Sequence, residues 1–537
     1  MLYITLGIVP VTQILIFEYT IKFEQHKNLN SIKSLNQIRI YLTLLLSIIA
    51  LMYIKTISFD LIFLDDDVLF YERFQDLSAS EKLASAFNSN YLRGHYYRPI
   101  TLTSFITENE MFGEATFIYH LTNISIHAFT SLLLFFILLK LSYSSLIAFL
   151  TSLFYAINPI QINAVGWIAG RGDLLAGLFC VIALLLNLHF IRSIRTIFII
   201  PISILLLLAI LSKELTLLIP FLFIIFYLIE HKDFKFNKRS IGIFLILILV
   251  TGSYYLLRGV LLTEVHLTKF SFTTLFRNIM VLPETISKVF LGIGIKALPG
   301  IESLTSVVGT ILFVFITGLP LIVKNINKFR YYFGLIWFIL LMVPGMVFRT
   351  MEHDGFFYWD CRSYLPIIGL IFVVAEILSN LNLRKKLTLS ITFVYLLILA
   401  LVSFNKIDIY TNPETFWNSV KSDYPDRFLP HIALYNYNIH INNFKQAEKE
   451  LLTGIKKNET ASLPRKLLIN FYINNNKFEE AFSTVKNALE ETKSEMNFLI
   501  KKFIFLSKEL NMEHEIDLLL EKYSENEKIK SIIRKNL

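Results

Sequence analysis

Charge is what this chain has least of. Charged residues make up 17% of its 537 positions, where a soluble globular domain carries about a quarter. That deficit argues against a wholly soluble protein, and 54% hydrophobic residues, with 48 phenylalanines, argue for lipid. Cysteine is nearly absent too. Cys180 lies in an apolar stretch and Cys361 in a loop, so no disulfide framework is expected. No basic, aromatic-interleaved groove is visible, and the net charge of +9 is scattered over loops, so nucleic acid is not an expected partner. The apolar opening Leu2–Phe17 lacks a basic n-region and a small-residue cleavage site, and reads as a first span or interfacial helix rather than a signal peptide.

What is present is a series of apolar runs near 1–20, 39–58, 119–140, 143–160, 174–191, 196–211, 214–230, 240–258, 304–323, 331–349, 364–381 and 387–404. Crossing the hydrocarbon takes about 20 apolar residues, so the expected fold is an all-α polytopic bundle of about 11–12 spans, some tilted. Lys and Arg concentrate in alternate connections: Lys22 to Arg39, Arg192 and Arg195, Lys232 to Arg239, Lys324 to Arg330, and Arg384 to Lys386. Those are the expected cytoplasmic loops. The other connections, 59–118, 159–173, the Lys213–Glu214 turn, 259–303 and 350–363, then face outward. For the signs to stay consistent, Asn278–Ala297 must not cross. Its Pro283, Glu284 and Lys288 suit a re-entrant or surface helix.

Beyond about residue 410 the chain turns polar and repetitive. A register of 34 residues pairs Leu434 with Leu468, Tyr437 with Phe471, Phe444 with Phe478, Ala447 with Ala481 and Ile455 with Leu489. That period is the tetratricopeptide signature of stacked helix pairs. A worn third copy places Glu515 where a small alanine is needed at the helix crossing, as a capping repeat would. The expected organisation is an N-terminal helix and linker (1–37), a membrane domain (38–410) and a repeat domain (411–537). A protein is the expected partner of the last.

The unusual polar residues gather in the outward loops. Asp65, Asp66 and Asp67 follow a span; crowded beside lipid, one of them should be raised in pKa, as suits a general base or a divalent cation site for magnesium or manganese. An acidic flank that only sets topology is the ordinary alternative. Tyr96-Tyr97-Arg98-Pro99 offers an arginine for a phosphate and a ring for a sugar or isoprenoid, or an arginine that only snorkels. His120, Asn123 and His127 share one helix face, for interhelical hydrogen bonding or, with less support, metal ligation. Gly170-Arg171-Gly172-Asp173 suits an anion pocket or a capped helix start. Lys213 and Glu214 sit between two apolar helices, as a functional pair or a self-paired turn. Asp360-Cys361-Arg362-Ser363-Tyr364 closes the set.

In this order the motifs resemble one family. An Asp-Asp pair after the first core span, Tyr-Arg-Pro, Tyr-His-Leu-Thr-Asn, Gly-Arg-x-Asp-Leu-Leu, Ser-Lys-Glu and Asp-x-Arg-x-Tyr-Leu-Pro, followed by tetratricopeptide repeats, are similar to the transmembrane-plus-tetratricopeptide O-mannosyltransferase-like proteins of the GT-C superfamily. The resemblance implies a polyprenyl-phosphate hexose donor, with mannose expected, and inverting transfer to a protein or glycan hydroxyl on the non-cytoplasmic face. It implies Asp65 or Asp66 as the base. Arg98, Arg171, Lys213 and Arg362 would surround the donor phosphate, and Tyr97, His120, Asn123, Asp173, Glu214, Asp360 and Tyr364 would line the substrate. One departure stands out. Where the family carries His-Pro-x-His-x-Glu, this chain has Asn158-Pro159-Ile160-Gln161-Ile162-Asn163, amides that hydrogen-bond but do not transfer protons. A scaffold without catalysis, or a transporter, are the competing expectations; a transporter would carry its polar residues at the midplane.

Overall fold

A computed structural model describes residues 29–66, 69, 77–88, 96–193, 196–230, 248, 250–256, 259, 272–347, 358–458, 461–491, 495–524 and 526–537. Asp67 and the run 1–20 lie outside them. The described residues are helical, without a strand, and the chain divides between Asn412 and Pro413 into two compact units.

Among the described residues of the first unit, six helices are long and apolar enough to cross a membrane: Leu35–Ser58, Thr116–Lys140, Ile168–Phe190, Ser303–Ile322, Lys328–Met346 and Lys386–Tyr410. Of the other apolar runs, 1–20 and most of 240–258 lie outside the described residues, and two more are interrupted for local reasons. The run 143–160 ends as a helix at Ala156, and the chain bends by 46° into Pro159–Gly166. Pro159 fixes the start of that second piece, where the Asn158 side chain accepts the Ile160 amide at 3.4 Å. The run from 196 to 230 is cut at Lys213, whose extended backbone separates Ile199–Ser212 from the turn beginning at Glu214. Burial ranks the spans. Thr116–Lys140 and Ile168–Phe190 are mostly enclosed by protein, whereas Ser303–Ile322 and Lys386–Tyr410 expose apolar flanks, as lipid-facing helices do.

The segment expected not to cross forms a helix over Val281–Leu291. At 1.5 Å per residue its 11 residues reach about 17 Å, too short to span. It is not a surface helix: Val281 through Val289 are all buried. Gly309 of the neighbouring span makes this possible, because a Cβ there would lie 1.8 Å from the Pro283 carbonyl oxygen. Gly292, in the left-handed region at φ 67°, ends the helix.

The second unit is a stack of helical repeats. Each of three helix pairs turns at an asparagine in the left-handed region: Asn442 and Asn476 at φ 57°, Asn511 at φ 55°. The following amide in each case bonds back five residues, Asn443 to Asn438, Lys477 to Tyr472 and Met512 to Ser507, at 2.8, 2.9 and 2.8 Å. The sequence period is thus a backbone period. Ala447 and Ala481 are fully buried at the crossings. Glu515, at the third such place, instead accepts from Lys486 of the helix Phe478–Glu491 in the previous repeat at 2.9 Å.

Candidate functional site

The acid loop is built around Asp66. Its carboxylate is buried and accepts the amides of Ile62 at 2.7 Å and Leu64 at 3.0 Å. Between them Phe63 sits at φ 55°, strained for a non-glycine residue, so Asp66 pins a left-handed turn. Burial pushes its carboxyl above the usual range, against the lowering effect of those amides. Asp65, half-buried, precedes Asp66 in the same turn.

Four cations of the first unit, Arg98, Lys213, Lys288 and Arg171, meet carboxylates. Arg98 makes a two-pronged contact with Glu214, its Nε and Nη2 at 3.0 and 2.9 Å from Oε2, and lies over the Tyr96 ring at 4.2 Å. Lys213 donates to Asp173 at 2.6 Å. Lys288 donates to Asp360 at 2.9 Å. Arg171 pairs with Glu108, donates to the Asn123 side chain at 2.9 Å and to the Tyr119 carbonyl at 2.7 Å, and covers the Phe105 ring at 4.3 Å.

Two of these pairs, Arg98–Glu214 and Lys213–Asp173, are neighbours. Thr101, one turn after Arg98, donates to the Ser212 carbonyl at 3.0 Å, and a Cβ on Gly172 would meet both residues, which ties the Arg98, Asp173 and Lys213 loops together. Cys361 extends the group. Burial first, then the nearby Asp173 carboxylate, push its thiol above the ordinary range, while Lys213 and Arg362 pull it down. Arg362 is half-buried against the Tyr358 ring at 5.9 Å. Trp359 packs at a tilt of 32°, its ring centre 5.5 Å from that of Trp167, which stands beside Asp66.

The amide segment is the frame for this cluster. Asn163 donates to the Tyr410 hydroxyl at 2.6 Å and accepts the Cys361 amide at 2.8 Å, while Asn158 donates to the Val289 carbonyl at 2.9 Å. Contacts therefore join Arg98 and Glu214 with Asp173 and Lys213, and Cys361 brings Arg362 and Asp360 to them; the Asp66 turn is linked to this group through Trp167 and Trp359. The structure places the other expected residues elsewhere. Tyr97 turns inward to donate to the Phe87 carbonyl at 3.2 Å. Arg171 and Asn123 are consumed by the internal network above. His120 is buried against Phe59, and Tyr364 lies in the helical core, its hydroxyl 3.0 Å from His127 Nδ1. His127 Nε2 is 2.9 Å from the Ala156 carbonyl, so this histidine serves interhelical bonding. Among the described residues no three His, Cys, Asp or Glu side chains are arranged to hold a metal ion.

Sequence reasoning missed Glu108, Glu284, Lys288, Trp167 and Trp359 as site residues. Glu284 and Lys288 carried a signal, since charges in a moderately apolar stretch are costly without a role. The tryptophan pair carried none, being 192 positions apart (359 − 167 = 192).

Fold and cluster together define an all-α polytopic membrane protein with helical repeats and a charged site formed by several loops. The protein O-mannosyl-transferase TMTC1 of Mus musculus is 34% identical over 98 residues, 18% of this chain and 10% of that protein. TMTC1 of Homo sapiens is 35% identical over 98 residues, 18% and 11%. The matched stretch is thus about a tenth of each relative's length. No family model matches the chain, and no solved structure does.

Proposed function

We propose that this chain is a membrane glycosyltransferase that moves a hexose, mannose by resemblance, from a polyprenyl-phosphate donor to an acceptor hydroxyl on the non-cytoplasmic side. The observation carrying this reading is the cluster in which Arg98, Lys213 and Arg362 join Glu214, Asp173 and Asp360 from separate parts of the chain, with the Asp66 turn linked to it through Trp167 and Trp359. The partial likeness to O-mannosyl-transferases supports it.

In this reading Asp65 takes the proton of the acceptor hydroxyl while Asp66 keeps the turn in shape. The acceptor oxygen bonds to the anomeric carbon as the carbon–oxygen bond to phosphate breaks, inverting the centre. The second charge left on the polyprenyl phosphate is stabilised by Arg362, Arg98 and Lys213. Arg171 is a strut beneath the site rather than a phosphate ligand. The repeat unit binds a protein, on the same side of the membrane. A divalent cation is not required by this chemistry.

The test is purified full-length protein supplied with radiolabelled polyprenyl-phosphate hexoses. Consumption of one donor is expected, with Asp65→Asn lowering transfer by about a hundredfold or more, within the range for loss of a general base, at unchanged protein level. Full transfer by Asp65→Asn removes the assigned base. A second reading, a membrane-anchored scaffold, draws on Asn158 and Asn163 serving as framework and on the cations being matched by carboxylates; it predicts no donor consumption.

A further inference from the structure

The short buried helix Val281–Leu291 carries a lysine that is incompletely used. Lys288 is 4% exposed, and of its three N–H bonds one goes to Asp360 at 2.9 Å. Nothing among the described residues takes the other two. Its second neighbour, Glu284 Oε1, lies 3.9 Å away, beyond hydrogen-bond reach. Glu284 Oε2 is engaged elsewhere, accepting the Glu302 amide at 3.1 Å and the Ser306 hydroxyl at 3.4 Å. An ammonium with open donors therefore faces a carboxylate oxygen with open lone pairs. A buried polar pair in this condition calls for a bridging group.

The space between them fits such a group. Val281, Glu284, Thr285, Lys288, Gly300 and Tyr358 line a cleft of about 200 Å³, whose enclosed part has room for one water-sized group. That is too small for a phosphate and right for a hydroxyl. An oxygen about 2.8 Å from both Lys288 Nζ and Glu284 Oε1 spans their separation, accepting from the one and donating to the other. The cleft adjoins the charged cluster, since Tyr358 packs on Arg362 and Asp360 lies two residues before it.

We infer that this cleft is a hydroxyl-reading subsite of the transfer site, in which Lys288 and Glu284 together bind one hydroxyl of a substrate, either of the donor hexose or of the acceptor. Asp360 is a positioning residue that holds the lysine. The inference rests on the glycosyltransferase reading for the identity of the ligand, and it adds two residues to the site.

The experiment uses full-length protein in nanodiscs and compares wild type with Glu284→Gln and Lys288→Met. Three constants are measured: KM for polyprenyl-phosphate hexose, KM for the acceptor, and the inhibition constant of polyprenyl phosphate, which lacks the hexose. Both variants are expected to raise one KM about tenfold, with kcat changed less and inhibition by polyprenyl phosphate unchanged. A rise in the donor KM assigns the hexose hydroxyl, and a rise in the acceptor KM assigns the acceptor. Unchanged KM values, or an equal loss of polyprenyl phosphate binding, overturn the inference. Should Lys288→Met fail to fold because Asp360 is left unpaired, Glu284→Gln decides alone, since it keeps the Glu302 and Ser306 contacts. If wild type consumes no donor, the glycosyltransferase reading fails, and the subsite is read by binding. Tryptophan fluorescence should then separate polyprenyl-phosphate hexose from polyprenyl phosphate in wild type and lose that difference in Glu284→Gln. No such difference in wild type overturns the subsite as well.

Discussion

Arg171 shows how residue type and residue role come apart. In the sequence it is an arginine between glycines at the start of an apolar helix, the pattern of an anion pocket. In the structure its guanidinium is fully buried, and Glu108, Asn123 and the Tyr119 carbonyl take it up from three sides. Removing one member of a buried pair leaves the other charge uncompensated, which costs about 3–5 kcal/mol. Arg171→Met should therefore lower the thermal unfolding temperature of the purified protein sharply. Adding Glu108→Gln to that variant should restore more than half of the loss, because the stranded charge is gone. A single variant as stable as wild type would show that the network carries no load. Gly177 works by a different means: a Cβ there would lie 2.5 Å from the Tyr364 ring, so the absence of a side chain is what lets the tyrosine reach His127.

At the scale of elements, the helix Val281–Leu291 joins topology, packing and charge. Loop charge predicted that it does not cross, and its length agrees. Its burial was not legible, because that depends on Gly309 of a helix later in the chain. Burial has a measurable consequence at Glu284, whose carboxyl is pushed up to about 7 from an ordinary 4.5; Asp360 and Glu302 add to the rise, while Lys288 and the Glu302 amide oppose it. A raised carboxylate favours the protonated form in the fold. Its contribution to stability is complete below about pH 4.5, falls as pH rises, and is gone above about 7. The total is about 3 kcal/mol. Unfolding temperatures measured from pH 4.5 to 8 should decline more steeply in wild type than in Glu284→Gln, which has no proton to lose. Parallel curves would contradict the assignment. The acid loop and the repeats show the opposite degree of legibility. Asp65–Asp66 and the 34-residue register stand out in the sequence because local patterns set them, whereas the Asp66 contacts with Ile62 and Leu64 depend on a backbone turn that no residue type announces.

At the scale of the whole molecule, sidedness decides whether a lipid-linked donor and these loops can meet. The argument is electrostatic. Lys and Arg cluster in alternate connections, and the basic side is retained in the cytoplasm. The structure adds a constraint that composition lacks. Arg98, Lys213 and Arg362 come from connections assigned to the other side, and they gather in one place with Asp173, Glu214 and Asp360 rather than scattering. Had the loop charges been read with the wrong alternation, these segments would lie at opposite ends of the bundle. Which end faces the cytoplasm follows from the basic loops alone. A reporter joined after Leu537 should therefore be active only outside the cytoplasm, and one inserted at Lys235, within the basic connection 231–239, only inside it. The two readouts must be opposite, since both follow from one orientation. A cytoplasmic signal from the C-terminal reporter would place the repeats on the wrong side for the proposed reaction. Equal signals from both would mean that an apolar helix counted as a span does not cross.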